Sequence, residues 1–381
     1  MDVHGTCDDA FSAVRDAFVA NFDQGNELGA SVAVTHHGLP VVDLWAGEAD
    51  TAGRPWERDT IVNVYSTTKT MTATCVLMLA DRGDIDLDAP VADLWPEFAA
   101  NGKADVLVRH VMSHTAGLSG FEPSIRATDL YDWDRVCDLL AAQAPWWEPG
   151  TQSGYHAITQ GYLLGELVRR ATGRSIGTFF REEVAGPLAA DFFIGLPESE
   201  DHRVADLVPP DLEAARNAAG VRPDSLAART LLSCPLDATE PRTRAWRGAE
   251  IPAAGGTGNA RSVARVHAAL ACGGEVDGVR LLSAPGVERV LEEQINGTDA
   301  VLGIPMRFGM GFGLMSDLTP LSPHERSFFW GGWGGSLAVI DLDAQVSVAY
   351  VMNRMGDGLA GDLRGALVAL AALGAADSAD R

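Results

Sequence analysis

Lysine is nearly absent from this chain. Of 381 residues only Lys69 and Lys103 are lysines, and arginine supplies the other 27 of the 29 basic residues (29 − 2). With a formal net charge of -23, nucleic acid and anionic membranes are excluded as partners, since both repel such a surface. Clustered cysteine is missing too. Cys7, Cys75, Cys137, Cys234 and Cys272 are odd in number and scattered, with no CxxC and no Cys/His group. That argues against a disulfide scaffold or a thiolate metal site and fits a reducing compartment. No HExxH accompanies His36-His37, His110, His114 or His156, and Asp84-Ile85-Asp86-Leu87-Asp88 lacks the twelfth-position Glu of a calcium loop, so neither metal nor cofactor is expected. No apolar run reaches the eighteen or so residues of a membrane helix. Met1-Asp2-Val3-His4-Gly5 has neither the basic nor the apolar region of a signal peptide, so a cytoplasmic location is expected. Gly334-Gly335-Ser336-Leu337-Ala338 ends in Ala where a nucleophile elbow needs Gly. Gly255-Gly256-Thr257-Gly258 lacks the Lys-Ser/Thr ending of a phosphate loop and reads as a turn.

What remains is a sequence able to build a large core, 46% hydrophobic with no segment too polar to fold. The length fits two domains or one elaborated domain. Helical spacing runs from Asp8 to Asn21, and alternation from Gly29 to Trp45 around His36-His37-Gly38 predicts a hairpin. Asp84 to Pro90 is turn-rich, and Val108 to Met112 opens a helix. From there to about Arg289 the chain reads as helices and loops. Strands are expected again at Phe308–Met315, Ser336–Leu342 and Val346–Asn353, then a helix over Leu359–Leu373. Strands at both ends around a helical middle imply an α/β (α+β) protein: a discontinuous sheet domain of 1–65 and 300–381, and a mainly helical domain of 66–299.

One of the two lysines lies three positions after a serine. Met71, Cys75, Met78 and Arg82 fall at helical spacing, which predicts a helix from about Ser66. On it Ser66 and Lys69 share a face, with Cβ atoms roughly 5–6 Å apart. A desolvated lysine can lose its proton near neutral pH, as arginine cannot, and so can activate a serine hydroxyl. Ser-x-x-Lys also arises by chance, so other segments must support it. Trp146-Trp147-Glu148-Pro149-Gly150 leads through a loop to Tyr155, its first large side chain before the next helix. Trp330-Gly331-Gly332-Trp333-Gly334-Gly335 precedes an apolar strand, and paired glycines there allow close approach to the backbone and free N–H groups for an oxyanion.

In that order these segments resemble the serine β-lactamase-like family, in particular its class C-type branch and the family VIII carboxylesterases within it. Ser66-Thr67-Thr68-Lys69 is similar to the family's first motif, Val111-Met112-Ser113-His114-Thr115-Ala116-Gly117-Leu118 to a structural segment, and Glu148-Pro149-Gly150-Thr151 with Tyr155 to the second motif. Gly255 to Ala260 resembles a further segment, and Trp330-Gly331-Gly332 stands where the third motif falls. The resemblance implies a class C β-lactamase-like fold, an antiparallel sheet flanked by helices with a helical domain. It implies Ser66 as nucleophile, Lys69 and Tyr155 as coupled base and acid, backbone N–H groups of Ser66 and Trp333 as oxyanion hole, and Trp330, Gly331 and Gly332 as substrate-binding residues. His114 reads as a buried structural hydrogen-bonder.

Two departures indicate the subtype. Tyr155-His156-Ala157 lacks the Asn of the family's Tyr-x-Asn, and Trp330 replaces the Lys or His that meets a β-lactam carboxylate. Trp146, Trp147, Trp330 and Trp333 suggest an aromatic wall for neutral groups. The reading is a serine carboxylesterase acting on small to medium esters, with assembly into a homo-oligomer compatible with the sequence. The alternatives are a β-lactamase, a D-amino peptidase or amide hydrolase, or an acyltransferase on the same scaffold. From another class comes a non-catalytic penicillin-binding-type sensor or binding protein.

Overall fold

Strands from the two ends of the chain share one sheet. The computed structural model describes residues 1–210, 222 and 224–381. Its main sheet has nine strands: β1 (Val3–Cys7), β2 (Gly29–His36), β3 (Leu39–Gly47), β4 (Ile295–Thr298), β5 (Pro305–Phe308), β6 (Gly313–Leu314), β7 (Ser327–Gly331), β8 (Leu337–Asp341) and β9 (Val346–Met352). The spatial order is β1-β3-β2-β9-β8-β7-β6-β5-β4, with every neighbouring pair antiparallel. The junction between the termini is β2 against β9, where Ala30 to His36 pair with Met352 back to Val346.

Both faces of the central strands are covered, as their near-continuous burial requires. On one face Tyr350 of β9 meets α1 (Ser12–Asp23): its ring packs edge-on against Phe18, and Asn21 donates to its hydroxyl. The final helix, here α7 (Leu363–Ala379), packs beside α1 on that face. Adjacent strand residues point to opposite sides, so Ser31, beside Val32 (the partner of Tyr350), faces the other layer. There its hydroxyl accepts the N–H of Ala260, the first residue of α6 (Ala260–Ala271). The helices α2 (Thr68–Arg82), α3 (Val108–Met112), α4 (Trp133–Ala142) and α5 (Thr159–Thr172) pack mainly on one another. We propose the two-part division read from the sequence with two amendments, that α6 and the strand β4 go with the sheet. Among the described residues no helix is long and apolar enough to cross a membrane.

Some segments differ from expectation. Phe308–Met315 is not one strand: the chain turns over Gly309–Phe312, with Gly311 at φ 84°, and β5 pairs back onto β6. Thr257-Gly258 is not a turn but the middle strand of a small sheet, between Val62–Asn63 and Phe192–Phe193. The edge strand β1 has no apolar alternation to announce it, since its three middle residues are exposed.

Two buried cations lock loops in place. Lys103 donates through Nζ to Ala100 O (2.8 Å), Ala141 O (2.9 Å) and Gln143 O, and burial pushes its pKa down to about 8. Arg364, in the first turn of α7, donates to Glu27 Oε1 (2.7 Å), Asp362 Oδ2 (2.6 Å), Arg354 O (2.8 Å), Asn26 O (3.1 Å) and Gly334 O (2.5 Å). It joins the start of β2, the entry to α7 and the glycine-rich loop after β7. Burial pushes Glu27 up to about 8 against the pull of Arg364. Arg364→Ala strands Asp362, Glu27 and three carbonyls, and is expected to cost about 3–5 kcal/mol in urea unfolding. A loss under about 1 kcal/mol would overturn this view of the network.

Candidate active site

The first helical turn after Val64 is entered through a strained residue. Tyr65 has φ 43°, left-handed for an aromatic side chain, a conformation that costs about 1–3 kcal/mol and persists only where its surroundings fix it. Here they do. Asn63 Oδ1 accepts the Tyr65 N–H (3.2 Å), and the Tyr65 hydroxyl donates to Ala238 O (3.1 Å). A short 3-10 turn, Tyr65–Thr67, then feeds α2. Ser66 therefore stands at the head of the helix, 6% exposed, with Lys69 one turn on and 2% exposed.

Two distant chain segments, at Tyr155–Ala157 and at Ala253, converge on these two side chains. Lys69 Nζ lies 3.1 Å from Ser66 Oγ and donates to Ala157 O (2.7 Å) and Ala253 O (3.0 Å). Burial holds its pKa well below the usual lysine value. Two carbonyls take the two hydrogens of a neutral amine, which leaves the lone pair for the serine. Tyr155 Oη donates to Ser66 Oγ at 2.6 Å, 89 positions along the chain. Burial raises its pKa above the ordinary tyrosine value, so its hydroxyl holds its proton.

The Tyr155 loop is clamped from two sides. His114, itself at φ 62°, accepts the Gly154 N–H on its carbonyl (3.0 Å) and the His156 N–H on Nδ1 (3.1 Å). His156 in turn donates from Nδ1 to Gly154 O (2.6 Å) and accepts the Leu118 N–H on Nε2 (3.0 Å). The expected structural role of His114 is thus met by hydrogen bonds on both flanks of Tyr155. On the other side Asp299, fully buried, accepts on Oδ1 from the N–H groups of Tyr155 (3.0 Å), Val301 (2.9 Å) and Leu302 (2.8 Å). Sequence reasoning missed Asp299, because a carboxylate that binds backbone across 144 positions leaves no local pattern.

The glycine segment after β7 presses on the nucleophile turn. A Cβ on Gly332 would lie 2.2 Å from Val64 O, 2.4 Å from Ser336 Oγ and 3.1 Å from Ser66 N; one on Gly331 would strike the Ala360–Gly361 backbone at 2.5 Å. Only glycine fits either position. Ser336 staples the two segments: its hydroxyl donates to Val64 O (2.8 Å) and accepts from Thr67 Oγ1 (2.9 Å). Among the described residues the Trp333 N–H has no acceptor, and the Trp333 ring packs 5.1 Å from that of Tyr65.

Trp330 is 1% exposed. Its ring packs among Tyr155 (5.4 Å), Phe308 (5.6 Å) and His114 (5.8 Å), behind the tyrosine. Its indole N–H neighbours the Tyr155 hydroxyl but makes no hydrogen bond of good geometry. Trp146 and Trp147 lie half-buried at the loop entrance. Trp146 donates to Glu122 and stacks on Arg229, whereas Trp147 donates to Gln152 O. The 252–257 segment is tied to the nucleophile turn by hydrogen bonds. Ala254 O accepts from Asn63, and Gly256 bonds Val64 and Thr68.

Burial lowers the pKa of His114 well below 6.5 and that of His156 to about 3. Unfolded, both titrate near 6.5. Between those values the unfolded chain binds more protons, so stability falls as pH falls, by up to about 1.4 kcal/mol per pH unit for each histidine. Urea unfolding at stepped pH is expected to show this slope below about pH 6. His156→Gln should flatten it, and an unchanged slope would refute the assignment.

Comparison with known proteins gives the following. A family model described as Beta-lactamase matches residues 14–373. The chain is 38% identical over 378 residues to Esterase/beta-lactamase LipL of Mycobacterium tuberculosis, covering 93% of this chain and 83% of that protein. Its fold is similar to the crystal structure of a family VIII carboxylesterase, 45% identical with a TM-score of 0.92, covering 98% of this chain and 100% of the other. It is also similar to a penicillin-binding protein homolog from Caulobacter crescentus, 41% identical with a TM-score of 0.89 over the same shares.

Proposed function

Because the chain belongs to the Beta-lactamase family, we propose that it is a serine carboxylesterase working through an acyl-enzyme on Ser66. The observation that carries this reading is the placement of one hydroxyl between an amine and a phenol: Ser66 Oγ is 3.1 Å from Lys69 Nζ and 2.6 Å from Tyr155 Oη. Lys69 is the base, its lone pair turned to the serine by the carbonyls of Ala157 and Ala253. Tyr155, which keeps its proton, is the acid.

In acylation Ser66 Oγ bonds to the ester carbonyl carbon while its proton passes to Lys69. The carbonyl oxygen takes the negative charge and rests on the N–H groups of Ser66 and Trp333. The bond to the alcohol oxygen then breaks. Tyr155 gives its proton to the leaving alkoxide and is restored by the proton on Lys69. Water attacks the acyl-enzyme by the reverse relay, and Ser66 leaves with its proton regained.

Preference for neutral esters follows from what surrounds the site. Trp330 brings no charge to the third motif, Ala157 no carboxamide to the second, and Arg364 is already committed to Asp362 and Glu27. Among these residues a carboxylated β-lactam therefore meets no free cation. We also propose a reducing, cytoplasmic location on the strength of five free thiols, three of them buried.

The test pairs p-nitrophenyl esters of short acids with a chromogenic cephalosporin. Ester turnover should dominate, and cephalosporin turnover of equal rate would refute the reading. Ser66→Ala should lose several orders of magnitude, and Lys69→Arg should fail equally because a guanidinium keeps its proton. Tyr155→Phe should lose about 10²–10⁴-fold in kcat; a loss under about threefold would make Tyr155 structural. As pH falls, Lys69 takes up a proton, so kcat/KM should drop on the acid side with a midpoint well below the usual lysine range. His114 and His156 titrate in the acid range too, so Lys69 is identified with this limb only if the midpoint is unchanged in His156→Gln.

A further inference from the structure

The histidine pair at the first hairpin has no part in that chemistry. His36 ends β2 and His37 begins the turn at φ 51°. Across the sheet the turn between β8 and β9 holds Gln345, whose carbonyl accepts the His37 N–H at 3.0 Å. Asp380, just past the end of α7, completes the group. His36 Nε2 lies 3.4 Å from Asp380 Oδ2, and His37 Nε2 lies 3.2 Å from Asp380 Oδ1. One donor atom from each residue falls within 4.8 Å of the other two.

We propose that His36, His37 and Asp380 form a binding site for a divalent first-row transition cation of the zinc type. In a tetrahedral site with bonds of 2.0–2.2 Å, neighbouring ligand atoms stand about 3.4 Å apart. Each histidine Nε2 already stands at this distance from one Asp380 oxygen, His36 from Oδ2 and His37 from Oδ1, so the carboxylate faces both imidazoles and small side-chain shifts close the set. Two imidazoles and one carboxylate suit zinc, nickel or copper and do not suit magnesium, which demands oxygen ligands. Orientation is built in as well. Gln345 Oε1 lies 2.8 Å from His37 Nδ1 and accepts its N–H, leaving Nε2 turned to Asp380; metal-bound imidazoles are commonly oriented by such a partner. His36 is nearly buried, its ring against Phe11. His37 and Asp380 are half open to solvent, so the fourth position is free for water.

A cation there ties two hairpin turns to the end of α7. His36 pairs with Val346, and Val346 with Asp341, which pairs with Ser327. Gly331, beside the nucleophile turn, is four residues along β7 from Ser327, about 13 Å at the rise of a strand. The site is therefore a clamp on the last helix and stands apart from Ser66.

The experiment is titration of the chelator-treated full chain with ZnCl₂ by calorimetry, MgCl₂ serving as the contrast. One zinc should bind per chain, with a rise in Tm that magnesium does not give. His37→Ala and Asp380→Asn should each weaken binding at least tenfold. Gln345→Leu, which keeps all three ligands, should weaken it about 10–100-fold. Turnover of a p-nitrophenyl ester should be unchanged within about twofold in each variant, which also reports that it has folded. Equal zinc affinity in wild type, His37→Ala and Asp380→Asn would overturn the proposal, as would zinc X-ray absorption with sulfur in the first shell, which would assign the metal to a cysteine.

Discussion

The Lys69 amine is the point on which the arrangement around Ser66 turns. Its side chain leaves α2 and ends on two carbonyls from unrelated segments, Ala157 after the tyrosine loop and Ala253 before the 255–258 segment. A buried amine with no acceptors would be costly, and the same carbonyls would be costly without a donor. Each therefore fixes the other. The requirement that positions the amine beside Ser66 also brings the Tyr155 hydroxyl within hydrogen-bond distance of the same oxygen. His114 and Asp299 then hold that loop at its backbone, leaving the phenol to face the serine.

A similar economy appears around the third motif. Gly331 and Gly332 let the segment lie against Ala360 and Val64, Ser336 pins it to the nucleophile turn, and Arg364 holds Gly334 from behind. Among the described residues the Trp333 N–H is left without an acceptor. Trp330 fills the space behind Tyr155, so the position at which the family's β-lactamases carry a cation here contributes packing. The esterase name of one solved relative and the penicillin-binding name of another attach to the same fold. Choice between such chemistries rests on the side chains around the serine.

Much of this was legible in the sequence because it depends on spacing. Ser66 and Lys69 share a face through three-residue spacing, the β2–β3 hairpin through alternation around His37-Gly38, and the sheet built from both termini through its β-branched runs. Backbone partners were illegible: any residue can offer the carbonyls of Ala157 and Ala253, and nothing in Tyr65 foretells its left-handed φ. Asp299 and Asp380 act across 144 and 343 positions. Phe308–Met315 misled because its apolar alternation continues through a turn that Gly311 makes sharp. The edge strand β1 went unseen since its three middle residues are exposed and carry no apolar alternation.

Both lysines are buried, each with its nitrogen held by backbone carbonyls. The folded surface of this very acidic protein therefore presents no lysine amine. Succinimidyl dyes, aldehyde cross-linkers and amine-coupling supports would find only the chain's own N-terminus, giving attachment at one defined point. Lysine-directed proteolysis would have to wait for unfolding. Uptake of more than one amine label per chain would accordingly count opened molecules, a chemical gauge of native-state opening supplied by the composition itself.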